Sequence, residues 1–426
     1  MRDFELTSEP VSIVGSGRKP AAIGVLMSIG GLYVAQSVIS GLTMVSLPTV
    51  LREAGASLDT VGLLHLAVLP WAIKFLWSPW LDRFRRPMNG RDRSRHIVLA
   101  GNTICALGIA LVGLMPMSFL PILLCLTLVA FVAATVDIAC DGFAVENLAA
   151  RHHGWANSIQ VGGAYLGSAL GGGLLLVLVG ILGWGPACWV MAVLVLIFGL
   201  PFWLSSSSSN TIDERPHRPS LASAFSRRDM RYAIGATILF VVGQKWGLTM
   251  LGPFLVDEGL DLATIGMLYG SGSLLLGLGG SVLAGGLVRR FGARPVLVFA
   301  LVAQGMLLAS LAGMAVGVGL PRDALVPIAL ISSSGVISIG FVALYSEFMR
   351  LSDPRQAGVD FTVLQCTDGI ASMTGGLAMG MVAHVASYAL VFGCVAAIAL
   401  VSTPVVFVLL TRMDQVDDTG FREWSR

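Results

Sequence analysis

The chain contains the stretch GLTMVSLPTVLREAGASLDTVGLL at residues 41–64 and repeats it in altered form, as GLTMLGPFLVDEGLDLATIGML, at residues 247–268. Each copy runs from the end of one apolar segment into the start of the next. A basic turn then follows that second segment, DRFRRP at 82–87 and RRFGARP at 289–295. An internal repeat at half length predicts two similar helical bundles related by an axis along the membrane normal.

The composition indicates that the chain is embedded in lipid. Of its 426 residues, 55% are hydrophobic and only 12% are charged, and the mean hydropathy is +0.81. An ordinary soluble protein, with about a quarter of its residues charged, is excluded. The alternation of a membrane β-barrel is absent, and many runs reach the roughly 20 apolar residues that a helix needs to cross a bilayer.

The sequence therefore predicts an all-α membrane protein with about twelve transmembrane helices in two six-helix bundles. The predicted spans are 22–47, 58–81, 97–117, 118–146, 155–181, 184–204, 232–256, 262–288, 295–316, 324–349, 359–384 and 388–411. The predicted domains are an N-terminal bundle at 1–204, a flexible cytoplasmic linker at 205–231, rich in Ser and Pro, and a C-terminal bundle at 232–426.

The distribution of positive charge predicts the orientation. All but four of the 27 Lys and Arg residues lie on one side of the membrane; Arg52 and Arg322 lie on the other side, and Lys74 and Lys245 lie within spans. The positive-inside rule makes the basic side cytoplasmic, with both termini there.

Small residues recur every four positions in two spans and predict close helix packing, including packing between the halves. They are Gly163, Gly167 and Gly171 in the fifth span and Ser273, Gly277, Ser281 and Gly285 in the eighth.

Lys74 is a cation inside an otherwise apolar run, and the fourth span contains two acids that can explain it. Asp137 and Asp141 are four residues apart and share one helix face. Two carboxylates on one face repel each other unless a proton or a cation neutralises one of them. We predict that Lys74 pairs with one of the acids and that the three residues take up and release a proton; snorkelling of Lys74 toward the cytoplasm is the alternative.

Lys245 lies near the middle of the seventh span, too deep to snorkel easily. Beside Gln244 and Trp246, its ammonium suits an anionic ligand with a flat ring system. A purely structural pair with Asp137 or Asp368 is the alternative. Further candidate ligand contacts, each of which equally suits a hydrogen bond between helices, are Tyr33, Gln36, Gln160 and Asp368.

No motif of soluble-type catalysis is present, neither H-E-x-x-H nor G-x-S-x-G nor a phosphate loop, and an enzyme is not expected. The six cysteines lie in apolar runs without C-x-x-C spacing. We expect no cofactor, no metal site in the protein and no nucleic-acid partner.

Several motifs resemble those of the major facilitator superfamily of secondary transporters. Asp82 and Arg83 match its cytoplasmic loop motif, and Arg290 and Arg294 match the second copy, which implies gating roles for these four residues. Arg289 stands where an acid is common, and Arg85 replaces a usual glycine.

Two stretches resemble one branch of that superfamily more specifically. They are KFLWSPWLDR at 74–83 and DIACDGFAVENL at 137–148. This branch includes the siderophore permeases of the rhizobactin, pyochelin and yersiniabactin types, the muropeptide permease and the acetyl-coenzyme A transporter.

The resemblance implies a monomeric, proton-driven importer of a metal–siderophore chelate, surrounded by lipid in a bacterial cytoplasmic membrane, with the metal belonging to the ligand. The alternatives are a permease for muropeptides or other bulky organic anions and an exporter of drugs or siderophores. Direct contact between Asp137 and Lys245 without a central cavity would instead favour a membrane enzyme or a sensor.

Overall fold

The computed structural model describes residues 22–54, 63–86, 92–116, 118–205, 218–260, 265, 267–383 and 387–424. Residues 55–62, which include the end of the predicted loop after the first span and the start of the predicted second span, lie outside the described residues, as do residues 261–264 in the repeat. Helices account for nearly all of the described residues. Ten of the helices found in these ranges are long and apolar enough to cross a membrane.

The first half contains six helical spans. They are α1 (Ala22–Glu53), α2 (Leu64–Val68, Leu69–Ile73, Lys74–Leu76 and Ser78–Arg85), α3 (Ser94–Val112), α4 (Phe119–Asn147), α5 (Ala150–Leu182) and α6 (Trp184–Ser205). Helix α2 is divided by short 3₁₀ segments, and one of these begins at Lys74.

The second half repeats this arrangement. Its helices are α7 (Arg228–Asp257), α8 (Gly270–Phe291), α9 (Ala293–Ala315), α10 (Arg322–Leu351), α11 (Ala357–Ala383) and α12 (Tyr388–Trp424). The prediction of an all-α membrane protein with about twelve helices is confirmed. The main differences in length are that α1 continues to Glu53, α3 already ends at Val112 and α12 continues to Trp424.

The end of the predicted flexible linker is ordered. A linker helix occupies Leu221–Ser226, and the Ser220 side chain caps it by accepting a hydrogen bond of 3.1 Å from the backbone N–H of Ser223. Such a cap satisfies one of the free N–H groups at a helix start. The flexible linker at 205–231 stays a prediction; within it the structure has this helix and the start of α7 at Arg228, and residues 206–217 lie outside the described part of the chain.

The apolar core shows how the halves meet. One cluster contains residues of both halves, including Phe143, Phe202, Phe240 and Phe348, and lies at the end of the helices that carries the basic loops. Toward the other end, each half has a core of its own. The halves are therefore packed together at the basic end and separate toward the opposite end.

The small residues pack as predicted in α8 and differently in α5. A Cβ added at Gly277 of α8 would lie 2.5 Å from the ring of Tyr165, so this glycine allows contact between the halves. A Cβ added at Gly167 would lie 2.4 Å from the carbonyl oxygen of Val34 in α1, within the first half. The ridge of α5 thus holds its own bundle together.

Several of the described helices contain one wide π-helical segment. These segments are Leu42–Ser46 in α1, Ala169–Leu174 in α5, Val242–Trp246 in α7, Leu268–Gly272 at the start of α8 and Ile331–Val336 in α10. In α1 and α7 the wide turn overlaps or directly precedes the repeated GLTM motif. Single π turns are rare and are frequent at functional sites.

Candidate functional site

A central cavity of about 470 Å³ lies between the two halves. It runs from the middle of the helices toward the end opposite the basic loops, and its size falls in the usual range for small-molecule sites. Its charged and aromatic lining comes from both halves: Trp71, Lys74, Asp137, Tyr345 and Asp368. Neutral lining residues include Gln36, Ser37, Ser40, Met44, Gln365 and Met373.

Lys74 forms the buried ion pair that the sequence predicts. Its ammonium donates a hydrogen bond to Asp137 and another to the side-chain oxygen of Gln365 in the second half. Only 3% of the Lys74 side chain is exposed, so it does not snorkel. The residue therefore both neutralises an acid and connects the two halves.

Asp141 is the second acid of this cluster and is fully buried. Tyr33 donates a hydrogen bond of 2.7 Å to its Oδ1. Its Oδ2 lies 3.9 Å from Lys74 Nζ and has no hydrogen-bond donor among the described residues. The cluster thus holds two carboxyl groups against one ammonium group.

Lys245 pairs with Asp368 in the second half. Its Nζ lies 2.7 Å from Asp368 Oδ1 and 3.0 Å from the hydroxyl of Ser372, and it sits over the ring of Phe341 at 4.0 Å from the centroid. Tyr345 donates a hydrogen bond of 2.9 Å to the other oxygen of Asp368. The side chain of Lys245 is 31% exposed, beside the cavity that Asp368 lines.

The remaining predicted ligand contacts are placed in three different surroundings. Gln36 lines the cavity, and its Nε2 has no acceptor within the described structure. Tyr33 instead contacts Asp141. Gln160 is buried in α5 and is not among the lining residues.

Gln244 and Trp246 pack within the second half. Gln244 is fully buried and donates a hydrogen bond of 2.8 Å to the carbonyl oxygen of Ala300 in α9. The indole N–H of Trp246 donates to the carbonyl oxygen of Ala371 in α11 at 2.9 Å, and a Cβ added at Gly375 would lie 2.2 Å from its ring. These contacts hold α7 against α9 and α11.

The predicted gating residues of the first half belong to a network at the basic end. Arg85, rather than Arg83, pairs with Asp82, at 2.6 Å, and it also binds both oxygens of Glu146 at 2.7 and 3.0 Å. Arg83 instead donates two hydrogen bonds, of 2.9 and 2.6 Å, to the carbonyl oxygen of Pro219 in the linker.

The second half has a comparable network. Glu347 near the end of α10 lies 2.8 Å from Arg350 and 3.6 Å from the predicted gating residue Arg294. Arg290 lies over the ring of its neighbour Phe291, 5.3 Å from the centroid. Glu146 and Glu347 thus occupy corresponding places at the ends of α4 and α10.

Sequence reasoning did not select several residues that complete these sites. Tyr345, Ser372 and Phe341 surround the Lys245–Asp368 pair, and Arg85 and Glu146 anchor the basic end. A buried arginine cannot be distinguished by sequence from its exposed neighbours in a basic turn. For Tyr345, its position within an apolar span was the available signal, since a buried tyrosine hydroxyl usually finds a partner.

A family model described as the Major Facilitator Superfamily matches residues 29–365. The chain belongs to this superfamily. It is therefore a membrane transport protein of the major facilitator type, and the resemblance inferred from its motifs is confirmed at that level.

Curated relatives of this superfamily member include the anhydromuropeptide permease of Escherichia coli strain K12. The two sequences are 29% identical over 268 residues, which cover 61% of this chain and 54% of the permease. The chain thus spans about half the length of the curated relative it matches. This similarity gives no support to the siderophore branch, which stays a prediction.

Two solved transporter structures match nearly the whole chain. A bacterial homologue of the iron transporter ferroportin in the outward-facing state has a TM-score of 0.67 at 16% identity, covering 93% of this chain and all of that one. The E. coli fucose:proton symporter FucP has a TM-score of 0.68 at 17% identity, covering 92% and 98%. At such low identities the likeness concerns the fold alone.

Proposed function

We propose that this transporter carries a bulky organic anion of the anhydromuropeptide class, and that protons drive it. The observation that carries the proposal is the set of charges at the cavity in the middle of the helices: Lys74, Asp137 and Asp368 line it, and Lys245 and Asp141 contact or flank these residues from behind. Ionisable side chains at that depth cost about 2.5–3.5 kcal/mol each on insertion scales and usually mark a substrate or ion pathway. The name of the E. coli relative supports the ligand class.

Lys245 is the cation that we propose binds the anionic ligand. Its side chain is the more exposed of the two midspan lysines, and its ammonium also contacts the ring of Phe341. When the ammonium turns to a ligand carboxylate, Asp368 keeps Tyr345 and Ser372 as donors. The pair can therefore open without leaving a carboxylate wholly unsatisfied.

Asp141 is the proposed proton carrier. With Asp137 bound to Lys74, a second negative charge on Asp141 would be buried without a cation of its own. An unpaired buried charge costs several kcal/mol, and a proton on Asp141 removes it. Tyr33 holds the carboxyl in place in either state.

We propose that the ligand moves inward, and the packing of the halves is compatible with uptake from the outer side. The shared core and the two arginine networks close the basic side, and the cavity extends toward the other side. The positive-inside rule makes the closed side cytoplasmic and both termini internal, in a bacterial cytoplasmic membrane. Rocking of the halves about the cavity would then carry the ligand inward.

Uptake by purified protein in liposomes tests this function. We expect radiolabelled anhydromuropeptide to enter when an inward proton gradient is imposed, and a protonophore to abolish the uptake. A neutral disaccharide of similar size serves as the control ligand. Equal uptake of both compounds, or uptake of the muropeptide that ignores the gradient, would contradict the proposal.

A ferric siderophore chelate is the second candidate ligand, supported by the stretches at 74–83 and 137–148. Both ligand classes present carboxylate or phenolate oxygens on a bulky frame. Supplying radioiron as yersiniabactin or pyochelin chelates in the same liposomes separates the two. Uptake of a chelate without uptake of muropeptide would transfer the assignment to siderophores.

A further inference from the structure

A second large recess lies on the outer surface of the first half, away from the central cavity. This groove has a volume of about 860 Å³ and lies between α2, α3 and α4. Its body is apolar and strongly exposed, with Trp80 at 65%, Ile104 at 51% and Phe131 at 46%. Such exposure on a membrane helix bundle means that the groove faces the lipid.

Arg93 supplies a permanent positive charge at the end of the groove near the basic loops. Arg93 and His96 line this end and are exposed. Asp92 also lines this end, and its carboxylate is turned toward the start of α3, where it accepts hydrogen bonds of 2.7 and 2.6 Å from the N–H and hydroxyl of Ser94. The guanidinium of Arg93 lies over the ring of Phe84, 5.0 Å from its centroid.

The length of the groove corresponds to one leaflet. Arg93 precedes the first residue of α3, and Ile104 is the farthest lining residue along that helix. Eleven residues at 1.5 Å each give about 17 Å, roughly half of a hydrocarbon core about 30 Å thick. A ligand with a charged head and an apolar tail of one leaflet's depth matches this shape.

We propose that the groove binds an anionic phospholipid from the leaflet on the basic side. The phosphate of the head group would lie against Arg93 and His96, and an acyl chain would lie along Ala100, Ile104 and Phe131. Arg binds phosphate through charge-assisted hydrogen bonds, and basic recesses between transmembrane helices on the cytoplasmic side attract anionic lipid head groups.

This site is separate from the transport cavity. Thr135 and Val136 of α4 line the groove, whereas the next residue, Asp137, lines the central cavity. Helix α4 therefore stands between the two sites. The proposal holds whatever ligand the cavity carries, and it can fail without affecting the proposed function.

Native mass spectrometry of the purified full-length chain in detergent tests the site. The protein is titrated with phosphatidylglycerol or with phosphatidylcholine of the same acyl chains. We expect phosphatidylglycerol to bind roughly fivefold more tightly or better, because each basic residue near a membrane surface contributes about 1 kcal/mol toward an anionic lipid. The double substitution R93Q/H96Q is expected to remove this preference.

Two further variants distinguish binding of the lipid head group from binding of its acyl chain. Ala100→Phe fills the exposed floor of the groove and should weaken the binding of both lipids, whereas Leu128→Phe, at a lipid-facing position that does not line the groove, should change neither. Arg151→Gln, an exposed basic residue of another loop, is the charge control.

Equal affinity for both lipids, or a loss of preference in Arg151→Gln as large as in R93Q/H96Q, would overturn the proposal. Full competition by glycerol 3-phosphate at lipid-equivalent concentrations would also overturn it, because the site would then recognise a free phosphate ester rather than a lipid.

Discussion

Lys74 and Lys245 both lie in the middle of membrane helices and both contact an aspartate, but their surroundings differ. The side chain of Lys74 is 3% exposed and donates to groups in both halves. The side chain of Lys245 is 31% exposed and contacts only its own half in the hydrogen bonds that the structure shows. The same residue type therefore occupies two different surroundings.

The difference teaches that burial, more than the presence of an ion pair, determines what a charge in a membrane can do. A fully buried pair costs a great deal to open, because both partners have lost their water. A partly exposed pair can exchange its partner for a ligand. We therefore propose that Lys74 couples the two halves and that Lys245 binds the ligand.

Lys74→Ala should have the largest effect. It leaves Asp137 buried without its cation, and breaking such a pair typically costs about 3–5 kcal/mol. We expect a marked loss of thermal stability in detergent and no transport. The double variant K74A/D137N should recover most of the stability without recovering proton-driven uptake. Wild-type stability of the single variant Lys74→Ala would contradict the proposed role of Lys74 in holding the halves together.

Lys245→Ala should lower transport strongly and stability only modestly. We expect a decrease of ten- to a hundredfold in uptake, corresponding to about 1.4–2.8 kcal/mol, and a smaller stability loss than in Lys74→Ala. Uptake rates and thermal unfolding of the same preparations provide the measurement. Lys245→Arg, which keeps the charge, is the matched control. Equal destabilisation by Lys74→Ala and Lys245→Ala would remove the distinction between the two lysines.

Asp141→Asn tests which group of the buried Lys74–Asp137–Asp141 cluster carries the proton. Asparagine imitates the protonated carboxyl, so the variant should stay folded and should exchange ligand across the membrane without responding to a proton gradient. Counterflow and gradient-driven uptake measure the two activities separately. Tyr33→Phe, which removes the hydrogen bond but keeps the carboxyl, should retain coupling. Wild-type gradient dependence in Asp141→Asn would assign the proton to another group.

The smallest effect on stability is expected from a substitution outside the membrane, at Asp353 in the loop before α11. Burial alone raises the pKa of this carboxyl, but hydrogen bonds and charge from Arg355 outweigh burial and hold the pKa below its usual value. A lowered folded-state pKa stabilises the protein above about pH 4 and ceases to do so as the pH falls through the folded-state value.

Asp353→Asn should therefore destabilise the protein slightly at neutral pH, by about 1 kcal/mol or less for such an exposed pair. The difference from the wild type should shrink below about pH 4. Thermal unfolding at several pH values checks this, with Arg355→Gln as the reciprocal control. A stability difference between the wild type and Asp353→Asn that grows as the pH falls would contradict the expected sign of the effect.

Much of the fold follows from hydropathy, the repeat and the charge distribution, because lipid allows few alternatives to a helix. The Lys74–Asp137 contact was also predictable, since a midspan cation requires a partner and two acids shared one face of α4. Gln365 and Tyr345 could not be assigned to their partners, because those contacts depend on how helices far apart in sequence pack. The order at Leu221–Ser226 was missed because a Ser-rich composition conceals a capped helix.

The wide turns in α1 and α7 have a consequence for the phase of these helices. A π turn accommodates one residue more than an α turn, and each residue advances an α-helix by about 100°. The π turn at Val242–Trp246 therefore shifts the residue pattern along the helix, and the tighter 3₁₀ turn that follows at Gly247–Met250 reverses part of that shift. The side of α7 that packs against its neighbours beyond this point is thus set by the local winding of the helix, in addition to the residue types it carries.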